Sequence, residues 1–461
     1  MRCSYYIYIC VRRIFLYIRT LKSMNNKLSK NLILLCGGLI FSLSSAAQIT
    51  KPKRAYLEYL VSTNSADRNY KVDEQAIVEV RAFEGGLPVN GYVHYSISND
   101  MMPTEQSDSV AFHDGLAIIN VGTMHQAGFK TVNLRFNADN AWHKDMVKVG
   151  FSPDSLRSLT QNPVDFDKFW AKSFKAIATK SPKVTSTLIP RLCTDNVEVY
   201  LVKMVYGKKG ETMYGYMSKP KGGGKHPVLF NPPGAGSKKI VPNNMYAEQG
   251  FISITSEIHG LNPELSDAEY DKLRKAVDGY NRMGIENRDS FYYRKVYVGC
   301  SKFVDYLCSL TDWDGENVGV TGGSQGGALT IITAALNPKV KFIASFYPAL
   351  SDLEGFLNGR AGGWPQYFRG KETINKDKFI ATIPYYDVVN FARRLKVPGF
   401  YSYGYNDETC SPTSVTATIN EISAPKIVEV TPTSGHWRYI STNDNSIEWM
   451  KTKCVMPITE D

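Results

Sequence analysis

Two hydrophobic periods divide the chain. Between residues 53 and 152, apolar and polar positions alternate in short runs: AIVEVRAFE, NGYVHYSIS, GLAIINVG, KTVNLRF and MVKVGFS. A period of two marks strands with one buried face. The intervening GG, ND and HDG supply turn residues. No long helical pattern interrupts them, so a small antiparallel β-sandwich of Ig-like type is expected over 48–152. Its histidines (His94, His113, His125 and, at the far edge, His143) have no nearby acid and nucleophile. This region is expected to pack, dock or bind, not to catalyse.

The period changes at NPVDFDKFWAKSFKAIATKSP. Phe166, Phe169, Trp170, Phe174 and Ile177 recur at helical spacing, and Asn162 with Pro163 stands where a cap and first turn belong. Strands are then expected at VEVYLVKMVY, MYGYMSKP, HPVLFNP, FISITSEI, VGVTGG, FIASFYP, PGFYSYGY and KIVEVTP. Helices are expected after 266, 295, 325, 387 and 412. This alternation predicts a mostly parallel sheet with helices on both faces, over 153–461. Residues 353–386, rich in Gly and aromatics, read as a cap insertion within it.

Composition changes little of this picture. A chain of 461 residues, 43% hydrophobic and 21% charged, is globular and long enough for two domains. The net charge of +10 is misleading, because residues 1–47 hold seven Lys/Arg and no carboxylate. The remainder is near neutral, so nucleic acid is not an expected partner. Met24 opens a basic stretch, MNNKLSKN, followed by the apolar LILLCGGLIFSL and the small residues SSAAQ. That pattern reads as a secretory signal peptide cut near Ala47/Gln48, with residues 1–23 an extension ahead of the true start. The apolar run is too short and too broken by glycine to span a membrane, so no stable span is expected after cleavage. The expected location is secreted, with the periplasm the first choice. Five cysteines follow the leader (Cys193, Cys300, Cys308, Cys410, Cys454), without CxxC or Cys/His metal spacing. No metal site is expected, and disulfides or buried free thiols both remain open.

The strongest chemical signal is VGVTGGSQGGALTIITAALNP. It places G-x-S-x-G between an apolar strand and a helix-forming run, the setting of a nucleophile elbow. The flanking glycines let a tight, strained turn lift Ser324 above the strand end. The backbone N–H of Gln325 then lies at the helix mouth, where an oxyanion is stabilised. A nucleophilic serine needs a base. Of seven histidines only His436 lies beyond Ser324, in the small-residue loop after KIVEVTP. Nine carboxylates lie between the two. Asp407 directly follows the strand PGFYSYGY, where this arrangement presents its acid. Asp352 and Asp387 stand where loop or helix-cap duty would suffice. The second oxyanion donor should come from HPVLFNPPGAG. Pro232 and Pro233 have no N–H, which leaves Gly234 or Ala235, with Gly234 preferred.

Together these residues resemble the acetyl xylan esterase / cephalosporin C deacetylase family of α/β-hydrolases. The likeness lies in GGSQGG, in PVDFDKFW, in YYRKVYVGCSKFVDYLCSLTDWDGENVGV and in VPGFYSYGYNDETCSPTS, and it covers roughly 160–455. The resemblance implies hydrolysis of acetyl esters on xylan-type sugars, xylo-oligosaccharides or small acetylated molecules. It implies Ser324 as nucleophile, Asp407 as acid, His436 as base, and Gln325 and Gly234 as oxyanion donors. The chain departs from the family where Arg-Gly-Gln usually stands, carrying His259-Gly260-Leu261. It also carries Trp437 where Glu usually follows the base.

Tyr347, Trp364, Tyr367 and His259 are expected around the substrate, with packing the competing role for each. The expected activity is serine esterase chemistry on an acetylated carbohydrate or small-molecule ester, with no cofactor. Three alternatives share or abandon the triad. A peptidase of the prolyl-oligopeptidase type usually needs a propeller larger than these N-terminal residues can build. A transacylase would use the same residues. A non-catalytic carbohydrate-binding protein would have no need of an intact triad.

Overall fold

The structure is a computed structural model that describes residues 56–370 and 375–454. The leader, with its expected signal peptide, lies outside the described residues.

The first strands form two sheets. One joins β1 (Leu57–Thr63), β3 (Ala76–Glu84), β4 (Leu87–Pro88) and β7 (Leu116–Gly122). The other runs β2 (Asn69–Tyr70), β9 (Ala141–Phe151), β8 (Gly128–Ala138), β5 (Tyr92–Asn99) and β6 (Thr104–Ala111). Alternation sets what is buried: Val78, Val80 and Ala82 on β3 face inward, as do Val132, Leu134 and Phe136 on β8. The Tyr59 ring of one sheet meets Phe136 of the other edge-on, centroids 5.3 Å apart. β6 was not expected. Its sequence, TEQSDSVA, is almost wholly exposed, so it carries no apolar alternation.

A nine-stranded sheet follows, in the order β10-β11-β12-β14-β13-β15-β16-β17-β18. Its antiparallel flank is β10 (Ala178–Leu188), β11 (Val197–Gly207) and β12 (Thr212–Pro220). Its parallel part is β13 (His226–Asn231), β14 (Ile252–Ser256), β15 (Trp313–Gly323), β16 (Phe342–Phe346), β17 (Gly399–Gly404) and β18 (Lys426–Thr431). The expected mostly parallel α/β sheet is therefore present, with one unexpected edge. β10 reads ATKSPKVTSTL, and a solvated edge strand of Lys, Ser and Thr lacks the apolar pattern of a central one.

Both faces are covered. Val228, Phe230, Val320 and Ile343 pack under α1 (Phe166–Ile177), α4 (Tyr293–Leu307) and α5 (Gln325–Leu336). The alternate positions Leu229, Phe342, Ala344 and Phe400 form a second cluster. It includes Tyr246 of α2 (Met245–Glu248) and Ile447 and Met450 of α9 (Ile440–Lys453). The remaining helices are α3 (Asp267–Arg274), α6 (Lys376–Thr382), α7 (Val388–Ala392) and α8 (Pro412–Asn420). From Gln325 to Ala334 every residue of α5 is buried, as suits a helix apolar on all sides and set in the centre of the fold. Within 353–386, Leu353, Tyr367, Phe379, Ile383 and Tyr386 join the main core. Residues 371–374 of that segment lie outside the described residues. The five cysteines of the described residues are all free thiols.

Candidate active site

β15 ends in Gly322-Gly323 and α5 starts at Gln325, so Ser324 alone makes the turn. Its φ of 59° and ψ of −125° lie where side-chain-bearing residues are rarely found. The turn is closed by the Ser324 N–H donating to the Phe346 carbonyl at 3.0 Å and by Ala349 N–H donating to Ser324 C=O at 3.0 Å. Glycine is required at 322, because a Cβ there would lie 2.7 Å from the backbone of Gly326.

Asp407 and His436 come from the loops after β17 and β18. These strands are parallel neighbours, so both loops open at the same sheet edge as the serine. The side chains form a chain of hydrogen bonds. His436 Nε2 lies 2.9 Å from Ser324 Oγ, and His436 Nδ1 lies 2.8 Å from Asp407 Oδ2. Asp407 is fully buried, and its Oδ1 accepts the N–H groups of Thr409 at 2.8 Å and Cys410 at 2.9 Å. A carboxylate so bound has its second oxygen aimed at Nδ1–H, which leaves the Nε2 lone pair facing the serine hydroxyl. The other carboxylates weighed in the sequence are engaged elsewhere. Asp387 caps α7, accepting from Val389 N–H at 2.9 Å, and Asp352 accepts from Leu159 N–H at 2.8 Å. Glu408 is exposed.

Gln325 and Gly234 are brought together by the Gln325 side chain. Its Nε2 donates to the Gly234 carbonyl at 3.1 Å and, at 3.5 Å, to that of Pro233. In a trans peptide the N–H of a residue points opposite to the C=O of the residue before it, so with the Pro233 carbonyl on that amide the Gly234 N–H is turned away from it. The amide is itself held, because Tyr280 and Tyr293 hydroxyls donate to Gln325 Oε1 at 2.6 and 2.7 Å. Sequence reading missed both tyrosines. Tyr280 lies outside every motif, and Tyr293 lies in the YYRKVYVGCSKF run without any spacing that ties it to the serine; only the fold brings them to the elbow.

A cavity of about 580 Å³ opens beside these groups, outside the carboxyl ends of β13, β14 and β15. Its lining includes Asn231, Gly234, Lys239, Asn243, Thr255 and Gly323. Tyr347 stands next to the base, its ring centroid 4.8 Å from that of His436. Trp364 is half-buried and packs against the main core. Two of the residues expected around the substrate make hydrogen bonds within the protein. Tyr367 is 1% exposed, and its hydroxyl donates to the Asn281 carbonyl at 2.5 Å. His259 has both ring nitrogens occupied, by Tyr292 Oη at 2.9 Å and Gly236 O at 3.1 Å. Burial pushes its pKa below the usual histidine value. Packing takes Tyr367 off the surface, whereas His259 stays half-buried. Among the described residues, no group of three or more His, Cys, Asp or Glu is arranged to hold a metal ion. No helix among them is long and apolar enough to cross a membrane.

Residues 154–453 match the family model described as acetyl xylan esterase (AXE1). Acetyl esterase Axe7A of Xylanibacter ruminicola is 42% identical over 416 residues, which cover 89% of this chain and 94% of that protein. The solved structure of acetyl xylan esterase 1 from Thermoanaerobacterium sp. JW/SL YS485 aligns with a TM-score of 0.55 at 24% identity, over 65% of this chain and 97% of its own. That of the acetyl xylan esterase from Paenibacillus sp. R4 gives 0.56 at 23%, over 65% and 98%. These two structures share the α/β-hydrolase fold. With a family match over well over half its length and a full-length relative at 42% identity, the chain belongs to the acetyl xylan esterase family and is a carboxylic ester hydrolase.

Proposed function

We propose that the protein removes acetyl groups from acetylated xylan, xylo-oligosaccharides or small acetylated molecules through a serine acyl-enzyme. The unbroken line of hydrogen bonds from Asp407 through His436 to Ser324 carries this reading. Ser324 Oγ attacks the acetyl carbonyl carbon while His436 Nε2 takes its proton. The oxyanion rests on the N–H groups of Gln325 and Gly234, and Asp407 stabilises the imidazolium. The sugar alcohol leaves with the proton held by His436. Water then adds to the acyl carbon, again through His436, and acetate is released. The cavity beside Gly234 and Gly323 receives the sugar, where Asn243 offers a hydrogen-bond donor to its hydroxyls. We further read residues 24–47 as a secretory signal, which places the enzyme in the periplasm.

The test is acetate release from p-nitrophenyl acetate and from acetylated xylo-oligosaccharide, wild type beside Ser324→Ala. Wild-type turnover on both substrates, and a loss of kcat of about 10⁴-fold or more in the variant, is expected. A variant that keeps its rate would remove Ser324 from the mechanism.

A further inference from the structure

The N-terminal strands reach the catalytic loops through groups that the acyl-transfer steps do not use. Lys148 on β9 is 1% exposed and Asp100, just after β5, is 2% exposed. Lys148 Nζ donates to Asp100 Oδ1 at 2.8 Å and to the backbone carbonyl of Asp407 at 2.8 Å. The backbone N–H of Lys148 donates to Asn406 Oδ1 at 3.0 Å. One residue therefore grips both the Asn406 side chain and the Asp407 carbonyl. Asp100 Oδ2 accepts the Thr413 hydroxyl at 2.7 Å and the Thr413 N–H at 3.3 Å, in the first turn of α8. The ion pair thus brackets the segment 406–413 that carries the acid.

The base loop is tied to the same frame. Asn406 N–H donates to Ser434 C=O at 3.1 Å, two residues before His436. Arg68, in the loop before β2, donates to the Pro432 carbonyl at 3.0 Å. Tyr405 Oη donates to Asn69 Oδ1 at 2.6 Å, and its ring meets Phe129 edge-on at 4.9 Å.

A buried ion pair is a poor stabiliser, because desolvation offsets its attraction and an apolar pair of equal volume serves as well. What it supplies is direction: a fixed charged donor on a backbone carbonyl is shorter and stiffer than a van der Waals contact. Its target here is the carbonyl of Asp407 itself.

We propose that Lys148 and Asp100 are positioning residues for the hydrolysis. From the N-terminal strands they hold the Asn406–Asp407 backbone so that the Asp407 carboxylate stays on His436 Nδ1. The N-terminal strands are then part of the catalytic apparatus, not an appendage to it. The inference rests on Ser324, His436 and Asp407 acting as the triad.

The test is the double variant Lys148→Met/Asp100→Asn in the full chain, which removes both charges together and leaves Thr413 an acceptor. Two readouts separate positioning from mere stability, both taken well below the melting temperature. The first is the split between kcat and KM on p-nitrophenyl acetate. The second is the downfield proton resonance of the His436 Nδ1–H bonded to Asp407. The expected result is a folded protein whose kcat falls at least tenfold, whose KM stays within threefold, and whose downfield resonance shifts or broadens. If the double variant does not give the wild-type circular dichroism spectrum, Lys148→Gln, one atom too short to span both acceptors, is measured in the same way. A folded variant with kcat within twofold of wild type and an unaltered resonance overturns the proposal, whatever its melting temperature. Ser324→Ala is assayed alongside. If it stays active, the triad reading and this inference fall together. If it is inactive while the Lys148 variants match wild type, only this inference falls.

Discussion

At the scale of single residues, the site depends on how closely backbone approaches backbone. Ser324 occupies a strained conformation that costs on the order of 1–3 kcal/mol. It is held there by the Phe346 and Ala349 hydrogen bonds. The next glycine along shows the same crowding from another side. A Cβ at Gly326 would lie 2.5 Å from the Pro232 carbonyl oxygen and 3.3 Å from the Pro233 backbone. Neither atom belongs to a flexible side chain, so in Gly326→Ala the loop that carries Gly234 has to move. The Gln325 amide that pins Gly234 then loses its register, and the oxyanion donor proposed there is misplaced. Removing such a donor outright costs about 10²–10³ in kcat, so a displacement should cost about 10- to 100-fold. The measurement is kcat together with the melting temperature. An unchanged kcat in a folded Gly326→Ala variant would mean that the loop position does not set the oxyanion geometry.

At the scale of elements, two buried carboxylates join the segment ahead of α1 to the insertion between β16 and β17, with a third beside them. Asp352 accepts from Ser158 Oγ at 2.9 Å and from Leu159 N–H. Asp387 accepts from Thr160 Oγ1 at 2.7 Å and from Leu353 N–H at 2.7 Å. Glu354 lies beside both. Burial, then the charges of Asp387 and Asp352, push its carboxyl up to about 7. The unfolded chain releases that proton near 4.5, so folding retains it between the two values. Stability is therefore full below the unfolded value and is lost as pH rises through 7. Glu354→Gln, neutral at every pH, should flatten the fall in stability between pH 4.5 and 8 by on the order of 1–3 kcal/mol, read from denaturant unfolding across that range. A variant with the wild-type slope would remove Glu354 as its source. These ties also show what a sequence reveals. The parallel strands were legible because burial on both faces writes continuous apolar runs such as VGV and FIASF. Ser324 and His436 were legible because one sits in a strand–turn–helix motif and the other is the single histidine after it. β10 and α9 were not, since their solvated faces dilute the pattern: ISTNDNSIEWMKTK buries only Thr442, Ser446, Ile447 and Met450. Lys148 was invisible for a different reason. In MVKVGFS it occupies the polar position of an alternating strand and reads as a solvent-facing residue. Only the docking of β9 against the loop after β17 buries it.

At the scale of the whole molecule, charge and thiols bear on where the enzyme works. The chain as written has an isoelectric point near 9.0, yet seven of its ten excess positive charges lie ahead of Gln48. An α/β-hydrolase near neutrality has no electrostatic preference for polyanions, which suits a neutral acetylated polysaccharide better than a nucleic acid. The thiols are compatible with an oxidising compartment. Cys300 and Cys410 are buried, and burial pushes the Cys300 thiol well above its ordinary pKa, so little reactive thiolate forms there. The same holds for Cys308, pushed up to about 11, and for Cys454, pushed up to about 12. If residues 24–47 direct it, the protein recovered from the periplasmic fraction should begin at Gln48, and its isoelectric point should lie below 9.0 because the basic leader is gone. Intact mass and N-terminal sequencing check the first point, and isoelectric focusing checks the second. A cytoplasmic protein that retains Met24 would refute export while leaving the chemistry of Ser324, Asp407 and His436 untouched.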